Sequence, residues 1–251
     1  MPRAAQPTKP SSDPSTGSVW TRPQRSRREQ PALSRDQIVA EAIALLDSDG
    51  IEALSMRKLG TRLNAGATSL YTHVSNKDEL IELVVDRVYG EIEVPKPASR
   101  AEWRAAALEC GNNVRAAILG HPWIASVLGE MGMSYLGPNM MRLSEDMLEL
   151  FESGGFDLVR SETALKTIWS YVLGTAATEA AWLTALARSG QNEEEWVRQV
   201  SAVAVQAMEP YPRTRKLHAQ LSRDTVDETR RSNFDLGLDC ILDGLEAQRG
   251  K

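Results

Sequence analysis

LSMRKLGTRLNAGATSLYTHVSNKDEL, running from Leu54 to Leu80, sets two short helical periods on either side of a tight turn. Met56, Leu59 and Leu63 recur at i, i+3 and i+7 behind Ser55, a residue type whose side-chain oxygen caps helix starts. Asn64-Ala65-Gly66 reads as the turn, and a very short helix is expected from about Ala67 to Val74, with Leu70 and Val74 facing inward. Its other face carries Thr68, Ser69, Tyr71, Thr72 and His73, all able to hydrogen-bond. Two helices joined by so short a turn can lay the second in a major groove about 12 Å wide, provided apolar residues fix their mutual angle. Residues 55–77 hold Arg57, Lys58, Arg62 and Lys77 and no acid, and Lys77 stands at a helix start, where a phosphate also meets free backbone N–H groups. The plainer readings are that Tyr71 packs, that His73 is a satisfied surface histidine, and that Arg57 pairs with Glu52 or Asp78.

The flanks extend the pattern into a module. Ser34 with Gln37 three residues on predicts a capping box ahead of Ile38, Ala42 and Leu45, and Asp49-Gly50 ends that helix. Ser75 or Asn76 caps a longer helix reaching about Glu93 with Leu80, Leu83, Val84 and Val88 inward, closed by Pro95 and Pro97. Residues 34–94 therefore read as a helix-turn-helix DNA-binding domain. Residues 1–33 are rich in Pro, Ser, Arg and Gln and carry six basic residues against Asp13 and Glu29, a disordered basic arm. The arm is either a solvated tail or a contact for phosphates and the minor groove. Residues 95–251 form the remaining domain, opened by a second capping box at Ser99 and Glu102. Helices are expected there at 99–119, 121–132, 138–153, 160–189, 192–209 and 227–248, with Pro210 to Val226 a polar loop. No strand alternation stands out, so the fold class is all-α: an N-terminal three-helix helix-turn-helix domain plus a C-terminal helical ligand-binding and dimerisation domain.

The composition excludes several classes. Hydrophobic residues are 42% and charged residues 25% of 251, ordinary for a globular chain, and no uncharged apolar run could cross a bilayer. The first residues lack the apolar stretch of a signal peptide, so a cytoplasmic protein is expected, without membrane contact. Cys110 and Cys240 lie far apart in apolar helical contexts and read as two thiols rather than a disulfide or zinc site. His73, His121 and His218 have no second ligand at metal spacing, and His121 before Pro122 reads as a helix cap. No metal, no cofactor and no enzyme are expected: the chain has no Gly-rich phosphate loop and no nucleophile elbow. The net charge of −5 is no obstacle to nucleic acid, because DNA meets only the face presented to it.

LYTHVSNKDEL closely resembles the L-Y-x-H-[FV]-x-x-K-x-x-L signature of the tetracycline-repressor (TetR) family, and GIEALSMRKLGTRLNAG resembles that family's second helix and turn. SYVLGTAATEAAW and FDLGLDCILDGLEAQ are similar to dimer-forming helices of the tetracycline-repressor branch, and HPWIASVL to a stretch of its ligand domain. The resemblance touches most of residues 34–248, densely over 34–94. It implies that Arg57 reads guanine, which its fork suits. It further implies that Ala67, Thr68, Ser69 and Thr72 face the bases, and that Ser55, Tyr71, His73 and Lys77 meet phosphates; Lys58 lies beside them. Asn64-Ala65 stands where the family often has Gly-Val, which alters the turn, and Ala67 is too small to hydrogen-bond a base, so the preferred operator should differ from that of the tetracycline repressor.

In the larger domain, five of the six tryptophans fall within residues 99–209, and Met131, Met133, Met140, Met141 and Met147 cluster around a loop-broken helix. Aromatic walls and adaptable thioethers suit a small apolar effector. The expected lining is Trp103, Cys110, Val114, Leu128, Met131, Met141, Met147 and Trp169; ordinary helix core is the plainer reading of each. The resemblance places Leu128 where the family's magnesium–tetracycline complex is held by histidine, so tetracycline itself is not the expected ligand. A palindromic operator needs two reading heads roughly 34–36 Å apart. A homodimer is therefore expected through the faces bearing Leu173, Ala176, Ala177, Ala180 and Leu238, Ile241, Leu242, Leu245. The partners are thus double-stranded DNA, an unidentified effector and a second copy. The rival is a helical protein-interaction module, whose binding would lack the steep salt dependence of phosphate contacts.

Overall fold

Ser34 begins the first helix as its spacing demands: its Oγ accepts from the Gln37 N–H at 3.1 Å, and Gln37 Oε1 accepts from the Ser34 N–H at 3.0 Å. The computed structural model describes residues 33–131, 137–221 and 226–249, and every regular element among them is helical. The basic arm expected over 1–33 lies, Leu33 aside, outside the described residues. Helix α1 (Arg35–Asp49) buries Ile38, Ala42, Leu45 and Leu46 and stops at Gly50, whose φ of 79° suits a residue without Cβ. Helix α2 (Met56–Arg62) starts at Ser55, whose hydroxyl accepts from the Lys58 N–H at 3.2 Å. The turn then passes through Asn64 at φ 50°, the left-handed region that asparagine tolerates better than most residues. Asn64 thus takes a conformation more usual for glycine.

Helix α3 (Ala67–Tyr71) is shorter than its apolar spacing suggests. The chain loosens through Thr72 and His73 because Asn76 already caps α4 (Lys77–Tyr89), its Oδ1 accepting from the Glu79 N–H at 2.8 Å. Leu59, Leu70, Leu80 and Val84 meet α1 in one closed core.

The second domain is built around the 32-residue helix α8 (Leu158–Ser189). Helices α5 (Trp103–Gly120), α6 (Trp123–Met131) and α7 (Pro138–Ser153) pack on it, with Ala164, Ile168, Val172, Ala176 and Ala180 fully buried beneath them. Helices α9 (Glu193–Ala207), α10 (Pro212–Leu221) and α11 (Val226–Glu246) complete the chain. Helix α11 lies on α5 and α8 through Phe234, Leu238 and Leu242. Gly111 permits that approach, since a Cβ there would sit 2.6 Å from Leu238.

Three expectations are corrected. The stretch from Pro210 to Val226 is not all loop: Pro212 opens α10, and the good helix formers that follow lack only an apolar stripe to betray them. At Ser99 the box closes one residue early, with Glu102 accepting from the Ala98 N–H at 3.1 Å and from the Ser99 hydroxyl at 3.1 Å. Finally, Ala176, Ala180, Leu238 and Leu242 point into their own subunit. Small residues at these positions let helices of one chain approach closely, and the open faces lie elsewhere.

Helix α4 joins the two domains. The Asp86 carboxylate accepts from the Asn139 and Met140 N–H groups at 3.0 and 3.1 Å, capping α7 from another helix. Arg142 returns the contact by donating to the Tyr89 and Ile92 carbonyls, both at 3.3 Å, at the end of α4. Tyr89 and Trp169 meet with ring centroids 5.8 Å apart.

Candidate nucleic-acid interface and effector domain

The surface of α3 is built from the inside outward. Leu70 and Val74 are fully buried against the α1–α2–α4 core, so their neighbours on the other face stand in solvent. Thr68, Ser69 and Thr72 are exposed, and Tyr71 is 51% exposed, which sets aside its reading as a packing residue. The Thr72 hydroxyl donates back to the Ser69 carbonyl at 2.7 Å and so fixes its rotamer. His73 is half-buried, and its carbonyl accepts from Arg35 Nε at 3.3 Å. Ala67 opens α3, but its side chain lies outside the described residues.

The basic residues divide by partner. Lys58 Nζ reaches Asp49 at 2.6 Å, and Arg62 pairs with Glu41, so both tie α2 to α1. The Lys58 bond holds the Asp49 carboxyl below its usual range, with a smaller push from Ser48. Arg57 and Lys77 are exposed and form no ion pair among the described residues, so the plainer reading of Arg57, a pairing with Glu52 or Asp78, is not formed. Glu79 is held below its usual range by its hydrogen bonds to Ser75 and keeps its charge at the start of α4. Ser55 is exposed and engaged in capping.

The expected effector lining is scattered. Trp103 is closed in by Phe156, at 5.0 Å between centroids, and by Phe151 at 6.4 Å. Cys110, Val114 and Met147 are also buried, and burial pushes the Cys110 thiol up to about 12. Met141 is 45% exposed, and Trp169 is half-buried against Tyr89. The Leu128 and Met131 side chains, and Met133, lie outside the described residues.

A cavity of about 540 Å³ opens instead between α8 and α11. Tyr171, Trp182 and Phe234 form its aromatic walls, with Thr175 and Thr178 between them. At one end the Arg115 guanidinium grips Glu179 at 2.7 and 2.8 Å, both about nine-tenths buried, and stands 5.2 Å from the Phe234 ring centre. Arg230 then bridges Glu179 at 3.5 Å and Glu193 at 2.8 Å, bringing α9 to the same point. Trp182 meets Trp196 of α9 edge-on at 6.2 Å. Sequence reading missed this site. Its signal was Glu179, one acid in the otherwise uncharged run from Thr167 to Leu186, where a charge needs a buried partner.

An outward helix on a helix-turn-helix, mounted on a helical domain with its own cavity, defines a transcriptional regulator with separate DNA-reading and sensing parts. Residues 38–84 match the family described as bacterial regulatory proteins, tetR family, and residues 95–249 match the tetracyclin repressor-like C-terminal domain. The chain belongs to the TetR family and is a DNA-binding transcriptional regulator. An HTH-type transcriptional regulator of Saccharopolyspora erythraea is 34% identical over 95% of each chain. The HTH-type transcriptional repressor DrrR1 of Streptomyces coeruleorubidus is 34% identical over 91% of this chain and 83% of its own. Among solved structures, ActR of Streptomyces coelicolor in complex with actinorhodin superposes with a TM-score of 0.73 at 30% identity, covering 88% of this chain and 99% of its own. These relatives are regulators rather than enzymes. No helix among the described residues is long and apolar enough to cross a membrane.

Proposed function

We propose that the chain acts in the cytoplasm as a homodimeric repressor, grips a palindromic operator through α3, and leaves it when a small, largely apolar effector binds. The observation that carries the DNA half is the exposure of Thr68, Ser69 and Tyr71 on α3 and of Thr72 just past it, while Leu70 and Val74 are locked in core. Arg57, on the adjoining α2 surface, supplies the bidentate guanine contact, and Ala67, Ser55, His73 and Lys77 complete the footprint. Duplexes recovered from a randomised pool should carry an inverted repeat, and binding should weaken with salt at a log–log slope near −0.9 per phosphate neutralised. Recovery of no preferred sequence would favour the protein-interaction reading.

The effector seat is the α8–α11 cavity, because three aromatic walls and a buried charged end fit a flat molecule with a few polar groups. ActR has been solved with (S)-DNPA and with actinorhodin, so those two compounds are the first probes. A bound probe should change the fluorescence of Trp182. Trp182→Ala should weaken probe binding at least about tenfold by removing one stacking wall, with operator affinity unchanged. Loss through Cys110→Leu instead would move the seat to the core around Cys110, Val114 and Met147.

A further inference from the structure

His121 sits at the α5–α6 turn, where the reading domain meets the sensing domain. Its Nδ1 is 2.8 Å from Asp47 Oδ1 in the last turns of α1, and its Nε2 is 3.1 Å from Glu91 Oε2, just beyond α4. The Trp123 indole N–H donates to the same Asp47 oxygen at 2.7 Å. One ring therefore bridges two elements of the DNA-binding domain from a third in the other domain. We propose that His121 is a positioning residue whose imidazolium clasps α1 and α4 to the α5–α6 turn, so that operator recognition depends on the proton it carries. The proposal rests on the DNA-binding reading above and adds a control to it.

The geometry favours the charged ring. A neutral imidazole has one N–H and satisfies one carboxylate, whereas the protonated ring donates to both. The ring also stands at the C-cap of α5, where the negative pole of that helix favours a cation. His121 also closes α5 through its own N–H, 3.1 Å from the Ala117 carbonyl. The charged groups facing the ring are Asp47 from α1 and Glu91 from the chain after α4; α5 and α6 add the Ala117 carbonyl and the Trp123 indole, neither charged. Burial pulls the ring's pKa down, but the hydrogen bonds and charges of Asp47 and Glu91 outweigh it and hold the ring above its ordinary 6.5. A raised value means that the clasp is complete below about 6.5 and is lost as pH climbs through the folded-state value. Deprotonation leaves the ring one N–H for two carboxylates; Trp123 still donates to Asp47, but one bare ring nitrogen then faces a carboxylate oxygen, and the ends of α1 and α4 separate from the turn. Helix α2 packs on α1 and α3 packs on α2, so a loosened α1 loses the preorganised spacing that two-headed binding needs.

The test compares the full chain's affinity for a selected operator with that for a scrambled duplex, at constant salt, from about pH 6 to about pH 8.5. Every protein keeps His73, whose assigned contact is a phosphate, and the ratio of the two duplexes cancels such uniform phosphate effects. The ratio should fall at least about threefold as pH rises. His121→Gln should be flat at the alkaline level, and His121→Arg, a permanent cation with a two-sided fork, should hold the acid level throughout. A merely structural histidine would lower the thermal midpoint in both variants without moving the ratio. The clasp is overturned if His121→Gln keeps the pH dependence, or if His121→Arg behaves like His121→Gln. Equal affinity for both duplexes at every pH would instead overturn sequence-specific binding itself.

Discussion

Arg57 and Lys58 are neighbours in sequence with different duties. Lys58 spends its charge on Asp49, so its loss should be felt in the α1–α2 junction as well as on DNA. Arg57 is exposed and unpaired among the described residues, and its fork remains available to a base. Arg57→Ala should therefore cost about 1–3 kcal/mol on the preferred operator and relax the base preference at one position in each half-site. Competition binding with single-base operator variants checks this, and unchanged discrimination would remove Arg57 from the readout. Lys77→Ala should act differently. A lysine at the first turn of α4 addresses phosphate, so every duplex should weaken about equally and the salt slope should fall by roughly one. A loss confined to one sequence would contradict that role.

At the scale of elements, α4 and α7 hold each other by their ends. Asp86→Ala would leave the Asn139 and Met140 N–H groups without their cap, and stability should drop by about 1–2 kcal/mol. Chemical denaturation checks the loss; an unchanged midpoint would mean that water replaces the carboxylate at no cost. This contact also marks the limit of what residues alone disclose. The caps at Ser34, Ser55 and Asn76 were legible because a cap is local: the oxygen and the N–H it serves are three residues apart. Asp86 and Asn139 are 53 residues apart, and His121 and Asp47 are 74 apart, so no periodicity announces either pair. Helix α10 was hidden because it lacks an apolar stripe. The faces of α8 were misassigned for the opposite reason: a small-residue stripe reads the same whether it meets the chain's own helices or a partner's.

As a dimer the molecule would have to deliver two α3 helices at a spacing set by DNA, and we propose that a second copy fits the faces left open on α8 and α11. On α8 these are Ala181 with Gly174 and Thr178, which also line the α8–α11 cavity, so that a second copy seated there would close it; on α11 they are Leu236, 62% exposed, with Cys240 and Gly244 beside it. A free subunit leaves Leu236 in water, whereas a two-fold partner seated there would bury it in a four-helix contact. Leu236→Asp should therefore yield monomers by sedimentation and weaken operator binding by roughly 10²-fold or more, because the second head loses its effective concentration. The two cysteines report the same event. Cys110 is buried and its thiol is pushed up to about 12, so it resists alkylation in either state, whereas Cys240 lies one turn from Leu236 on an open face. The native protein should alkylate slowly at both thiols, and Leu236→Asp should label rapidly at one per chain. Rapid labelling of Cys240 in the unmutated protein would show that α11 is not at the interface, and the spacing of the reading heads would need another pair of helices.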